Sequence, residues 1–162
     1  MEDQSIIKLA LLHPAIRYDA VNAYNEAVKA TPIGVHPIIT FTLRTFDEQA
    51  ALYAQGRTTP GQKVTNAKPG QSCHNYALAL DFALQIDGKL SWVVDENWMI
   101  VVNCFKVKGF DWGGDWKTFK DSPHLQKTNG LTWKQLLVMH DQNNFITGTD
   151  YININNENII LS

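Results

Sequence analysis

Apolar positions along this chain recur first at helical spacing and then at strand spacing. Ile16, Ala20, Ala23, Tyr24, Ala27 and Val28 fall three or four residues apart, or next to one another, which predicts an amphipathic helix over 15–30 ended by Thr31-Pro32. The β-branched and aromatic run from Pro37 to Leu43 predicts a strand. Thr45 with Glu48 three residues on is a capping-box signature, opening a helix that runs through Gln49, Leu52 and Tyr53 to about Gly56. Residues 57–73 are poor in apolar positions and rich in glycine and proline, which predicts a long loop. Loops of that length inside a domain are commonly functional.

Beyond the loop, Ala77 to Leu84 predicts a buried strand, followed by a hairpin turn at Asp87-Gly88. Trp98, Val101, Val102 and Phe105 form the apolar side of a helix over 95–108. A glycine- and tryptophan-rich segment, Gly109–Trp116, leads to a loop at Asp121-Ser122-Pro123-His124. Thr132 caps a short helix over Trp133–Met139. Six asparagines among residues 141–162, with Ile and Asn alternating near 152–155, predict a peripheral strand or hairpin. The mixture is α+β. It is read as one main domain over 1–140 with an Asn-rich tail over 141–162.

Composition changes this picture only by exclusion. A chain of 162 residues with 44% hydrophobic and 19% charged content suits one globular domain. A net charge of −2 supplies no basic field for nucleic acid or for another anionic surface. No segment approaches the roughly 20 apolar residues of a membrane span. The acidic start Met1-Glu2-Asp3 and the interrupted run Ile6–Leu12 make a poor signal peptide, so cytoplasmic synthesis is the expectation. Cys73 and Cys104 form no disulfide framework and read as buried thiols.

Chemistry enters at Asp81, a carboxylate inside an otherwise apolar strand. A buried charge is costly unless it is paired with a cation or bound to a metal, and the pattern leaves both open. His74 stands seven residues upstream, and Asp121-Ser122-Pro123-His124 forms a proline-stiffened turn presenting two polar side chains. Hydrolytic zinc takes three His or carboxylate ligands and works with a nearby carboxylate that is not a ligand. His74, Asp81 and His124 supply the three, and Asp121 the fourth group.

Ser72-Cys73-His74-Asn75-Tyr76-Ala77-Leu78-Ala79-Leu80-Asp81 resembles the Ser-x-His-x-x-Gly-x-Ala-x-Asp motif of the M15 peptidases. Asp121-x-Pro-His124 with Gln126 resembles the second motif of that family, in the form of its L-alanyl-D-glutamate endopeptidase branch. Ala51–Arg57, Val64–Lys68 and Trp112-Gly-Gly-Asp-Trp116 are similar to the same branch, so the resemblance spans about residues 12–126. It implies a single hedgehog/D-Ala-D-Ala-peptidase-like domain with a small, mainly antiparallel sheet and flanking helices. It implies Zn²⁺ on His74, Asp81 and His124, Asp121 as general base, and Arg44 as the cation that stabilises the oxyanion. An ion pair with Asp47 or Glu48 is the bland alternative for Arg44. Ser72, Gln49, Tyr53 and Trp116 are candidates for substrate binding, although Ser72 could equally close its turn and the aromatics could be core.

The implied partner is the peptidoglycan stem peptide, cut by a monomer that acts on the wall after release or export. The alternatives are a D-alanyl-D-alanine carboxypeptidase or dipeptidase with the same metal site, and a zinc-stabilised wall-binding module without catalysis. One departure stands out. Ala77 occupies the family's glycine position, harmless if only a small side chain is needed but strained if φ is positive.

Overall fold

The computed structural model describes residues 3–155. In chain order the elements are α1 (Gln4–Leu9), α2 (Pro14–Ala30), β1 (Val35–Phe41), α3 (Phe46–Ala54), β2 (Ala79–Ile86), β3 (Lys89–Ser91), α4 (Glu96–Val107), β4 (Asp111–Trp112), β5 (His124–Gln126) and α5 (Trp133–Asp141). Two compact units can be told apart, residues 3–43 with 78–127 and residues 44–77 with 128–155.

The first unit contains an antiparallel sheet in the order β1-β2-β5-β4, with β3 also on β2. Strand β2 is therefore central, which suits its almost continuous burial from Ala79 to Leu84. Helices α2 and α4 bury the stripes their spacing predicts: Ile16, Ala20, Ala23, Tyr24 and Ala27 on α2, and Trp98, Val101, Val102 and Phe105 on α4. Val28 falls outside the α2 stripe and is 41% exposed. The Trp98 ring lies 4.3 Å from that of Phe82 on β2. The apolar start of the chain forms α1 and buries Leu9 and Leu12, with Asp3 as its N-cap accepting from the Ser5 N–H at 2.8 Å.

The second unit holds α3 and α5, both opened by capping boxes, Thr45 with Glu48 and Thr132 with Gln135. An aromatic cluster joins its parts: the Phe46 ring is stacked on His140 at 4.4 Å, and Tyr76 and Phe145 meet this pair edge-on. α3 stops at Ala54, short of Gly56, because the backbone already leaves the helical region at Gln55, with ψ 127°, and Gly56 then adopts φ +72°. In the Asn-rich tail, Phe145 and Ile152 form an antiparallel bridge, and residues 156–162 lie outside the described residues.

Candidate metal centre

Successive side chains on β2 point to opposite faces. Leu80, Phe82 and Leu84 share the face that carries Phe82 onto Trp98. Ala79, Asp81 and Ala83 share the other, where two small residues leave room around the carboxylate. Strand β5 pairs in a register that sets Asp81 opposite His124 and Ala79 opposite Gln126. Residues opposite one another project to the same side. His124 Nδ1 accordingly lies 3.3 Å from Asp81 Oδ1, and His124 Nε2 lies 2.9 Å from Gln126 Oε1.

The Gln126 amide oxygen is placed to accept a proton from Nε2, which turns the Nδ1 side of the ring toward Asp81: as an N–H donor when the ring is charged, and as the candidate metal-binding atom when it is neutral. Burial works against a charged His124 ring, but the Asp81 carboxylate, assisted by Gln126 and Asp121, outweighs it and raises the pKa above the ordinary histidine value.

His74 is placed by a short 3-10 turn, Cys73–Tyr76, whose N-cap Ser72 accepts from the His74 N–H at 3.4 Å. The His74 carbonyl accepts from the Arg44 N–H at 3.1 Å. Asn75 ties the turn down twice, donating to the Arg44 carbonyl at 3.0 Å and accepting from the Gly70 N–H at 3.0 Å. Tyr76 adds a third tie, donating to the Gly70 carbonyl at 2.7 Å. Ala77 closes the turn with φ 56° and ψ 29° and is 1% exposed. Its left-handed backbone is why the strand starts at Ala79 and not at Ala77. It also resolves the doubt over the glycine position in favour of strain.

His74, Asp81 and His124 each offer one ligand atom, and these atoms lie within 4.8 Å of one another. Two imidazoles and a carboxylate are a donor set for a hydrolytic divalent cation. The neighbouring Cys73 thiol is held protonated at neutral pH, because burial pushes its pKa to about 11.

Asp121 is exposed in the turn before β5, its carbonyl accepting from the His124 N–H at 3.2 Å and its own N–H donating to the Gly113 carbonyl at 3.1 Å. Arg44 donates from Nη1 to Gln49 Oε1 at 3.1 Å, while the Glu48 carboxylate accepts the Thr45 N–H of its capping box. Gln49 is fully buried, and its amide also donates to the Ala67 carbonyl at 2.8 Å, linking the long loop to Arg44. Tyr53 carries the Arg57 guanidinium over its ring at 4.0 Å. The half-buried Trp116 ring lies 5.2 Å from that of His124. It also borders an open pocket of about 390 Å³ with Lys106, Phe110 and Trp112. Sequence reasoning placed Gln126 in a motif but missed its work. The signal was its i+2 spacing from His124 on a strand.

The family model described as D-alanyl-D-alanine carboxypeptidase matches residues 65–127. The chain is 45% identical over 126 residues to the peptidoglycan L-alanyl-D-glutamate endopeptidase CwlK of Bacillus subtilis (strain 168), covering 71% of this chain and 72% of that protein. It is 33% identical over 96 residues to the L-alanyl-D-glutamate peptidase of Listeria phage A118, covering 57% of this chain and 31% of the phage protein. The crystal structure of the Serratia marcescens L-Ala D-Glu endopeptidase ChiX aligns with a TM-score of 0.57 at 22% identity, over 85% of this chain and 92% of that one. That last likeness speaks for the fold.

Proposed function

From the premise that the chain belongs to the L-alanyl-D-glutamate endopeptidase branch of the M15 peptidases, we propose that it hydrolyses the L-alanyl-D-glutamate bond of peptidoglycan stem peptides at a zinc centre. The observation that carries the reading is the cross-strand pair Asp81–His124 with His74 alongside, two buried imidazoles and a carboxylate within 4.8 Å. Zinc suits that donor set, and the chemistry it supplies is Lewis acidity toward the peptide carbonyl and the attacking water.

The chain's own groups do the rest. Asp121, exposed at the mouth of the turn, takes the proton of the attacking water and returns it to the leaving amine of D-Glu. Arg44, held by Gln49, offers a fixed cation to the oxyanion that develops on the L-Ala carbonyl. Gln126 keeps His124 in the tautomer that can bind a metal. Trp116, packed beside His124, offers an aromatic wall to the bound peptide.

The test is incubation of the protein with purified muropeptides, with and without a chelator, and location of the cut by mass spectrometry. Asp121→Ala is the control that retains the metal. Cleavage between L-Ala and D-Glu, lost with chelator and with Asp121→Ala, is the expected result. Release of a terminal D-Ala would make the protein a carboxypeptidase, the activity in the matched family's description. Absence of any cleavage by a metal-loaded protein would refute the enzyme reading.

A further inference from the structure

Gly113 and Gly114 sit in the Trp112–Trp116 segment, and neither has a positive φ, so what they provide is space. A Cβ built at Gly113 would come 2.3 Å from the Asp121 carbonyl oxygen and 3.1 Å from the Asp121 Cβ. A Cβ at Gly114 would come 2.2 Å from the Trp112 ring. The backbone at 113 therefore lies directly against the backbone at 121 with no side chain between them.

Hydrogen bonds fix that approach on either side. The Asp121 N–H donates to the Gly113 carbonyl at 3.1 Å, and Trp112 Nε1 donates to the Ser122 carbonyl at 2.7 Å. Trp112 is itself anchored, paired with Leu125 of β5. The Asp121 carbonyl, the atom a Cβ at 113 would strike, also accepts the N–H of the metal-ligand candidate His124 at 3.2 Å.

We infer that Gly113 is a positioning residue: the bare backbone of Trp112-Gly113-Gly114 straps the Asp121 turn down and sets the carboxylate's place relative to His124. The inference rests on Asp121 being the general base. Any side chain at 113 lifts the turn. Lifting the base by about 1 Å is enough to cost on the order of 100-fold in rate. Of the candidate cation ligands, Asp81 lies outside the turn, and His124, although its N–H meets the Asp121 carbonyl, is also held by its strand pairing with Asp81.

Four variants test this: Gly113→Ala, Trp112→Phe, Asp121→Asn and the double variant Gly113→Ala/Asp121→Asn. Each is measured for kcat, KM, bound zinc and thermal midpoint on a muropeptide. Gly113→Ala is expected to lower kcat by about 10- to 100-fold with KM and zinc content near the parent's. In the Asp121→Asn background the same change is expected to add little further loss, since the group it positions is already gone.

A folded, zinc-loaded Gly113→Ala with kcat within about twofold of the parent would overturn the inference, as would an equal loss in both backgrounds. If Gly113→Ala does not fold, Trp112→Phe decides. It keeps an aromatic ring but removes the donor to Ser122, so a reduced kcat supports the strap and an unchanged kcat overturns it. An Asp121→Asn protein as active as the parent would instead sink the general-base reading itself.

Discussion

Replacing Ala77 by glycine and by valine separates the forces acting at the turn that places His74. Ala77 has φ 56° and is 1% exposed. A left-handed backbone costs a non-glycine residue roughly 1–2 kcal/mol, which glycine would recover. Against that, glycine adds about 0.5–1 kcal/mol of unfolded-chain entropy. It also forfeits roughly 0.8 kcal/mol for the buried methyl. These terms nearly cancel, so Ala77→Gly is expected to change stability by less than about 1 kcal/mol, or less than about 4 °C in Tm for a chain of this size.

Valine cannot exploit the cancellation. A β-branched residue in this conformation is a genuine outlier, and the buried site must also accommodate two further methyl groups. Ala77→Val is expected to lose more than about 2 kcal/mol. It should also weaken zinc binding, because His74 lies three residues away in the same turn. Denaturant unfolding of the chelated protein and zinc titration by calorimetry read the two effects. A valine variant as stable as the parent, or a glycine variant more stable by over about 2 kcal/mol, would refute the reasoning.

Gln126→Leu removes the acceptor for His124 Nε2 and should weaken zinc about 10- to 100-fold with the fold intact, as read by competition with a chromogenic chelator. The raised His124 pKa gives zinc affinity a defined pH sign: affinity weakens as pH falls through that raised value, because the proton and the metal compete for the ring. In the metal-free protein the His124 contribution to stability runs the other way, present below the ordinary histidine range and lost as pH rises through the raised value. Thermal midpoints with and without chelator across the histidine range would show both trends, and parallel curves would contradict them. Cys73 is half-buried with its thiol pushed up to about 11 and should resist iodoacetamide at neutral pH, and rapid alkylation of that residue found by peptide mapping would contradict the raised pKa.

Asp81 was legible because a lone carboxylate is conspicuous inside a continuous apolar run, and both capping boxes were legible because their chemistry is local. Gln49 was not. Its spacing from Arg44 fits substrate contact as well as support, and only its complete burial shows that the amide is occupied by Arg44 and Ala67. Gly113 escaped because its requirement comes from a chain segment eight residues on, and a glycine needed for space looks like one needed for conformation. Val28 was misplaced on the buried stripe since α2 carries its apolar arc one position narrower than the sequence spacing suggests.

The pairing of Asp81 with His124 also bears on how the sheet finds its alignment. β5 has three residues and β4 two, too few for main-chain hydrogen bonds alone to specify where they dock. A slip of one residue would turn His124 to the opposite face, away from Asp81. A cation shared by the two would therefore act as a register lock, rewarding one alignment of β5 on β2 and none of its neighbours. Amide hydrogen exchange in β5 would then be the place where loading of the cation is written into the backbone.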